Sequence, residues 1–213
     1  TKYKPRGTTC HKQRTPFHRA VPKRSANWHT MTTITTARKE VRETIRENIP
    51  FDEKARAVLE IGNRFLGTDQ GFLTRSDTQT NRLAVVISTE GESGPARDAD
   101  FLLENEYCHV VLERESLLSI HNALEQGWAD DPAYDPAEQT YLGAPLIVGE
   151  VPFGTVCFKA EDPREEPFSE AEKRFVEDLT LLLDRELERS HVEAQLTGQT
   201  NVSTVLNRVL RHN

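Results

Sequence analysis

The stretch that decides the fold is residues 141–162, YLGAPLIVGEVPFGTVCFKAED. Two apolar runs, at 144–148 and 153–158, flank a short Gly-Glu connection, and this pattern predicts a β-hairpin. Both runs are too apolar to face water at the edge of a sheet. We therefore expect the hairpin to lie near the middle of a sheet that other elements cover.

Pro152, just before the second run, and Gly154, within it, each restrict how that strand can pair with its neighbours. Pro152 cannot donate a hydrogen bond to a neighbouring strand, so we expect the strand to start or to bulge there. Gly154 has no side chain to pack, and it marks either a bulge or a close approach of another backbone.

Further along the chain, Ser169-Glu-Ala-Glu172 has the form of a capping box and predicts the start of a long helix. Its apolar side carries Phe175, Val176, Leu179, Leu182, Leu183 and Leu187.

The chain before the hairpin predicts alternating helices and strands. Residues 36–48 predict a charged helix that Pro50 ends. Asp52 is expected to cap a second, amphipathic helix that Gly67 closes. The remaining expected elements are strands at 71–75, 82–88 and 116–120, a helix at 102–113, and an irregular loop at 127–139.

The charge divides the chain into two parts. Residues 1–30 hold eight Lys or Arg and no acidic residue, whereas the rest of the chain holds 19 basic and 34 acidic residues. Together with the next few residues, this basic leader (1–35) has a composition that predicts disorder. The acidic remainder contains only four Lys against fifteen Arg. Such a body suits high salt, where screening weakens the repulsion between like charges.

The composition argues against several classes of protein. Cys10, Cys108 and Cys157 are too few and too scattered for a disulfide framework. No apolar run has transmembrane or signal-peptide character, so we expect a cytoplasmic protein without a membrane partner. A basic segment without a folded nucleic-acid-binding domain does not by itself indicate nucleic-acid binding, so no nucleic-acid partner is expected. No nucleophile elbow, zincin motif, P-loop or dinucleotide fingerprint is present, so no common enzyme class is indicated.

Metal binding is also not expected. Cys10, His11 and His18 lack a fourth ligand at a usual spacing. The acidic loops at 90–100 and 130–135 lack the spaced pattern of a calcium loop. The sequence names no cofactor.

The segment YLGAPLIVGEVPFGTVCF, followed by EDPREEPFSEAEKRFVEDL, resembles the C-terminal half of a GAF domain. It is closest to the version common in sensor proteins of halophilic archaea, and residues 106–108, 127–128 and 131–134 resemble that group too. The resemblance covers about residues 52–190. It implies an α+β, PAS-related fold at 51–190, with a central antiparallel sheet of about six strands, helices packed on it and a long C-terminal exit helix. Such domains bind small molecules or chromophores, or relay signals between dimerised neighbours.

A shorter segment, residues 207–213 (NRVLRHN), resembles the start of the dimerisation helix of histidine kinases. The role of phosphoacceptor that this resemblance implies falls on His212. Residues 191–213 would then be a linker helix and the truncated start of that helix. The implied protein is the sensory module of a two-component histidine kinase, homodimeric through its C-terminal helix, with a response regulator as partner. This chain alone should not phosphorylate itself, because the nucleotide and Mg²⁺ are held by another domain.

A cleft between the sheet and a helix is where such a sensor would hold a small-molecule ligand. The candidate lining residues are Tyr107, Cys108, His121, Trp128, Tyr134 and Tyr141. The alternative is that the aromatic residues belong to the core and that Cys108 is a small buried hydrophobe.

Two other functions stay open. A GAF regulatory module of a helix-turn-helix transcriptional activator would be followed by a DNA-binding domain. A GAF-type sulfoxide reductase would need its thiols close together. A separation between Cys108 and Cys157 well beyond disulfide reach would exclude that enzyme.

Overall fold

A computed structural model of the protein describes residues 33–77, 79–89, 100–149 and 151–197. The basic leader up to residue 32, the segment 90–99 and residues 198–213 lie outside this range, and His212 with them. The described elements are α1 (Ile34–Arg46), α2 (Phe51–Leu66), β1 (Gln70–Asp77), β2 (Arg82–Ser88), β3 (Asp100–Leu102), α3 (Tyr107–Arg114), β4 (Leu118–Ile120), β5 (Thr140–Val148), β6 (Val151–Ala160) and α4 (Glu170–Thr197).

The six strands form one sheet in the order β3-β2-β1-β6-β5-β4. Each neighbouring pair runs antiparallel, which confirms the predicted α+β class and the six-stranded antiparallel sheet. β6 lies in the middle between β1 and β5, and the short strand β4 covers the outer edge of β5. The apolar hairpin therefore lies inside the sheet, as its composition predicted.

The predicted irregularities of the hairpin are also present. The register shifts between Leu146, opposite Gly154, and Ile147, opposite Pro152, so the bulge falls at Phe153, next to the proline. Gly149 turns the chain with φ +57°. At Gly154 an added Cβ would lie 1.9 Å from the carbonyl oxygen of Thr74 on β1, which confirms a close backbone approach.

The two faces of the sheet carry separate apolar clusters. α1, α2 and α4 cover one face, and the other face is covered by α3 and the loop that follows β4. Side chains alternate between these faces because successive residues of a strand point to opposite sides. Thus Leu142 of β5 packs beneath the three helices, whereas its neighbour Tyr141 packs beneath α3.

Three expected boundaries were wrong. α1 starts at Ile34, two residues early, because the Thr33 side chain accepts a hydrogen bond from the Thr36 amide. Asp52 lies in the first turn of α2, and the N-cap is Pro50. Residues 102–113 are not one helix, since β3 pairs with β2 before α3 begins at Tyr107. Tertiary pairing outweighs local helix propensity there.

The capping box of α4 is confirmed. Ser169 Oγ accepts a hydrogen bond from the Glu172 amide, and the Ser169 amide donates to Glu172 Oε2 at 2.7 Å. The buried stripe of α4 is Phe175, Val176, Leu179, Leu183 and Leu187, and the expected Leu182 is only partly buried. At 1.5 Å per residue the helix is about 42 Å long. It continues to Thr197, and beyond the buried stripe Val192 is half exposed.

Candidate functional site

The candidate site lies between the sheet and the first turn of α3. Tyr107 and Cys108 begin that helix, Tyr141 comes from β5, and Cys157 comes from β6. None of these four side chains is more than 1 % exposed. The site is therefore a cluster of polar and aromatic groups inside the protein, which the second apolar cluster surrounds.

Aromatic rings form the outer part of the site. The Tyr107 ring lies 5.3 Å from both the Trp128 ring and the Tyr141 ring, measured between centroids. Trp128 and Tyr134 are partly buried and pack against the cluster from the loop after β4. The Tyr107 hydroxyl is buried and makes no hydrogen bond to any described residue. Burial, reinforced by the charge of Glu138, raises the pKa of Tyr107 well above its ordinary value.

Cys108 Sγ is the acceptor on which the polar groups of the site converge. Thr155 Oγ1 donates to it at 3.2 Å and the Tyr141 hydroxyl at 3.6 Å. Hydrogen bonding with the Cys157 thiol is the main cause that lowers the pKa of Cys108, to about 7. The same contact, together with burial, raises the pKa of Cys157.

A buried lysine lies on the same face of β6 as Cys157. Lys159 Nζ is 3.1 Å from Glu106 Oε2 and 2.8 Å from Glu138 Oε2. Burial lowers the pKa of Lys159, but the two carboxylates outweigh burial and raise it. For Glu106 the balance is the reverse: burial raises its pKa by more than Lys159 lowers it. The three groups form an ion-paired cluster beside the thiols.

The structure brings some of the predicted site residues together and not others. Tyr107, Cys108 and Tyr141 meet in the buried cluster, and Trp128 and Tyr134 close its outer side. His121 makes backbone contacts, since its carbonyl oxygen accepts from Thr140 Oγ1 and from the Arg164 amide. His212 lies outside the described residues.

Sequence reasoning missed the polar partners of Cys108. Thr155, Cys157 and Lys159 occupy alternate positions of β6 and share one face, as the alternation of the strand predicts, but sequence reasoning interpreted Cys157 only as sheet packing. Glu106 and Glu138 come from separate loops, and no local pattern links them to that strand. Cys108 Sγ lies 3.2 Å from Thr155 Oγ1, and Cys157 is two residues from Thr155 on the same face of β6, so the positions of the two thiols do not exclude the reductase alternative.

A second feature lies on the opposite side of the sheet. An open groove of about 300 Å³ runs between α1 and α4. Its floor is apolar, with Arg38, Arg42 and Asp178 at the rim, and it includes Leu181, which is 49 % exposed.

Neither a membrane-spanning helix nor a cluster of metal ligands occurs in the described ranges. There, no helix has the length and apolar character needed to cross a bilayer. In the same part of the chain, no three His, Cys, Asp or Glu side chains converge on a point where they could hold a metal ion.

Comparisons with known proteins agree on the fold. Residues 49–184 match the family model described as GAF domain. No curated protein sequence matches the chain significantly. Among solved structures, the GAF domain of an Acinetobacter phosphoenolpyruvate-protein phosphotransferase has a TM-score of 0.60 at 16% identity, covering 78% of this chain and 96% of that one.

Two other solved structures show what this fold accommodates elsewhere. A free methionine-R-sulfoxide reductase from Neisseria meningitidis, solved with its substrate, has a TM-score of 0.58 at 12% identity, covering 78% of this chain and 93% of its own. A phycocyanobilin-bound GAF domain from a cyanobacterial phytochrome has a TM-score of 0.57 at 14% identity, covering 76% and 97%. At these identities the likeness concerns the fold alone.

Proposed function

The chain belongs to the GAF domain family of regulatory and sensory modules, and from this premise we propose that it is the input module of a two-component histidine kinase. A signal at the buried site would be relayed through α4. The observation that carries the proposal is the position of β5, which bears Tyr141 of the site on one face and packs against α4 with the other.

The contacts between β5 and the exit helix are direct. Leu142 and Leu146 of β5 share an apolar cluster with Leu179 and Leu183 of α4. At the hairpin turn, the Gly149 amide donates to Glu188 Oε1 at 2.9 Å. A packed interface transmits a shift of the strand because its side chains leave few voids to absorb it. Movement of Tyr141 would therefore alter the position of α4.

We further propose that α4 pairs with its counterpart in a parallel homodimer. The groove beside α1, the half-exposed Leu181 and the half-exposed Val192 give this helix apolar surface outside the core. Two helices joined along such surface can change register or angle, provided that the stimulus has unequal affinity for the two arrangements. Sedimentation equilibrium should show a dimer for the unmodified protein and a monomer for Leu181→Glu. The substitution places a charge on the exposed surface of α4 and leaves the buried core residues unchanged.

A small-molecule ligand would have to displace side chains. Tyr107 and Tyr141 fill the space between α3 and the sheet, so a ligand there requires these rings to move outward. Native mass spectrometry of protein purified from its own host at high salt should reveal such a ligand as added mass. A clean apo mass would favour a protein-interaction signal.

Phosphotransfer tests the kinase assignment. The complete product of the encoding gene should incorporate phosphate from Mg²⁺-ATP at His212, as an acid-labile and alkali-stable adduct, and His212→Gln should abolish it. Stable incorporation elsewhere, or none, would contradict the proposal. A helix-turn-helix after residue 213, together with sequence-specific DNA binding, would establish the transcriptional-activator alternative.

The adjacent thiols favour a second candidate, a sulfoxide reductase. It predicts multiple turnovers of methionine sulfoxide with a thiol reductant, and loss of turnover in Cys108→Ser. Both thiols are buried, so substrate access would require α3 to open.

The acidic, Lys-poor body supports a host with high internal salt, such as a halophilic archaeon. Self-repulsion of its negative charge weakens as salt screens it. The free energy of unfolding should therefore rise steadily between low and molar KCl. A flat or falling dependence would contradict the halophilic assignment.

A further inference from the structure

We propose that Cys108 and Cys157 form a redox-active dithiol, which hydrogen peroxide converts into an intramolecular disulfide between α3 and β6. This inference concerns chemistry that the sensory assignment does not require. It rests on the way in which the groups around Cys108 are arranged.

Cys108 Sγ accepts hydrogen bonds from two donors, Thr155 Oγ1 and the Tyr141 hydroxyl. Cys157 lies two residues from Thr155 on the same face of β6 and packs in the same buried cluster as Cys108. A neutral thiol is a weak acceptor, whereas a thiolate is stabilised by each donor aimed at it. Thr155 is itself held in place, because its Oγ1 lies 2.8 Å from Thr74 Oγ1. The arrangement therefore stabilises the reactive form of Cys108.

The charged groups that face the thiols also affect the pKa of Cys108. The Lys159 ammonium lowers the pKa of Cys108, whereas burial and the Glu106 carboxylate raise it. With the Cys157 hydrogen bond included, the pKa of Cys108 is lowered to about 7. The lowered pKa of Cys108 and the raised pKa of Cys157 agree with the hydrogen-bond geometry, which makes Cys108 the attacking thiol and Cys157 the resolving thiol.

The reaction balances in two steps. The Cys108 thiolate attacks one oxygen of hydrogen peroxide, the O–O bond breaks, and hydroxide leaves with the bonding electrons, which gives a sulfenic acid. The Cys157 sulfur then attacks the Cys108 sulfur, its proton passes to the departing hydroxyl group, and water leaves as the S–S bond forms. Two thiols are oxidised to one disulfide, and one peroxide is reduced to two waters.

The position of the pair determines which oxidants reach it and what the bond would do. Both thiols are buried, so a small neutral oxidant has access that a bulky reagent lacks. α3 packs on β5 and β6, so the new bond would tie the helix to the sheet face that carries Tyr141. An effect of this tie on α4 rests on the proposed function, but formation of the disulfide does not.

The test uses the full chain with Cys10→Ser, so that Cys108 and Cys157 are the remaining cysteines. After exposure to hydrogen peroxide we expect the intact mass to fall by two hydrogen atoms. A peptide map should join the two cysteine peptides, and dithiothreitol should reverse the change. Circular dichroism is followed throughout, because a disulfide that forms only in urea would overturn the proposal.

Single variants identify the two roles. In Cys157→Ser, Cys108 should accumulate as a sulfenic acid that a dimedone-type reagent traps. In Cys108→Ser, Cys157 should react many-fold more slowly. Thr155→Val should slow the wild-type reaction several-fold, and Thr155→Ser, which keeps the hydroxyl, should restore the rate. Equal reactivity of both single-cysteine variants, or an unchanged pair of thiols in the folded protein, would refute the dithiol.

None of these measurements involves a kinase. Absence of the disulfide would therefore leave the histidine-kinase proposal standing, and absence of phosphotransfer would leave the dithiol standing.

Discussion

Gly143 lies directly beneath the phenol of Tyr141: a Cβ at position 143 would be 2.4 Å from the Tyr141 hydroxyl oxygen. The two residues are two apart on β5 and so point to the same face of the sheet. Gly143 also lies opposite Cys157 in the register of the strands. Because Gly143 has no side chain, the Tyr141 ring can lie over it, and its hydroxyl can reach Cys108 Sγ.

Gly143→Ala should push the Tyr141 ring out of its position. Crowding in a packed core typically costs about 1–3 kcal/mol. We expect a loss of that size in the free energy of unfolding, measured by urea denaturation. Tyr141→Ala alone should cost about 3–5 kcal/mol because it leaves a cavity.

A double-mutant cycle separates this contact from a general effect of the extra methyl group. In the Tyr141→Ala background, Gly143→Ala should cost much less, since the clash is gone. Strictly additive costs would show that Tyr141 does not lie over the glycine.

Gly154→Ala should be far more damaging. The added Cβ would lie 1.9 Å from the backbone oxygen of Thr74, and a backbone cannot move aside without breaking the pairing of β1 with β6. We expect a loss of about 3 kcal/mol or more in the free energy of unfolding. Gly71→Ala is the control, because the nearest atoms to its new Cβ are side-chain atoms at 3.2 Å. Similar losses for the two substitutions would contradict the close approach.

The buried ion pair between α2 and α4 should contribute to stability. Lys54 Nζ lies 2.8 Å from Glu186 Oε2, and the two side chains are 2 % and 13 % exposed. Glu186→Ala would leave the ammonium buried without its carboxylate, which typically costs about 3–5 kcal/mol.

The matched control is the more exposed pair of Arg64 with Glu40, 2.6 Å apart. Glu40→Ala should cost less than about 1 kcal/mol, because water already solvates both charges. Thermal unfolding of both variants measures the contrast, and equal shifts would argue against a buried pair.

Glu172 should make the stability depend on pH in the acid range. Burial alone would raise its pKa, but hydrogen bonds from Ser169 and Arg164 outweigh burial and lower the pKa below the ordinary 4.5. A carboxyl group with a lowered pKa in the folded state stabilises at pH above 4.5, and this contribution is lost as the pH falls through the lowered value.

Glu172→Gln keeps an oxygen that can accept the capping hydrogen bonds but lacks the charge that faces Arg164 and the helix N-terminus, so it should lower the free energy of unfolding by about 0.5–1 kcal/mol at pH 7. The difference from the wild type should shrink as the pH falls below 4.5. Glu165→Gln, at an exposed position before the helix, is the control and should leave the free energy of unfolding at pH 7 unchanged. If the free energies of unfolding of the variant and the wild type still differed at low pH, the effect would come from packing and not from the charge.

Local features of the fold were predictable because their causes lie within a few residues. The apolar runs around Gly149, the capping box of Ser169 and Glu172, and the left-handed Gly67 each follow from neighbouring residues. β3 was missed for the opposite reason. Its three residues form a strand only because β2 offers an unpaired edge, far from them in sequence.

The candidate site was predictable in its composition but not in its connections. Tyr107, Cys108 and Tyr141 were expected near one another, whereas Thr155 and Lys159 had no assigned role. Their contacts with Cys108 and with Glu106 join residues about 50 positions apart.

The sequence by itself determined the central hairpin and the start of the exit helix, since periodicity, turn residues and capping motifs act over short distances. The family and its six-stranded antiparallel sheet followed from the resemblance to GAF domains. Only the tertiary structure decided that two cysteines 49 positions apart share one hydrogen-bonded cluster. Strand register and the packing of α3 on the sheet bring the two side chains together. Both depend on the free energy of the whole fold, which no local pattern encodes.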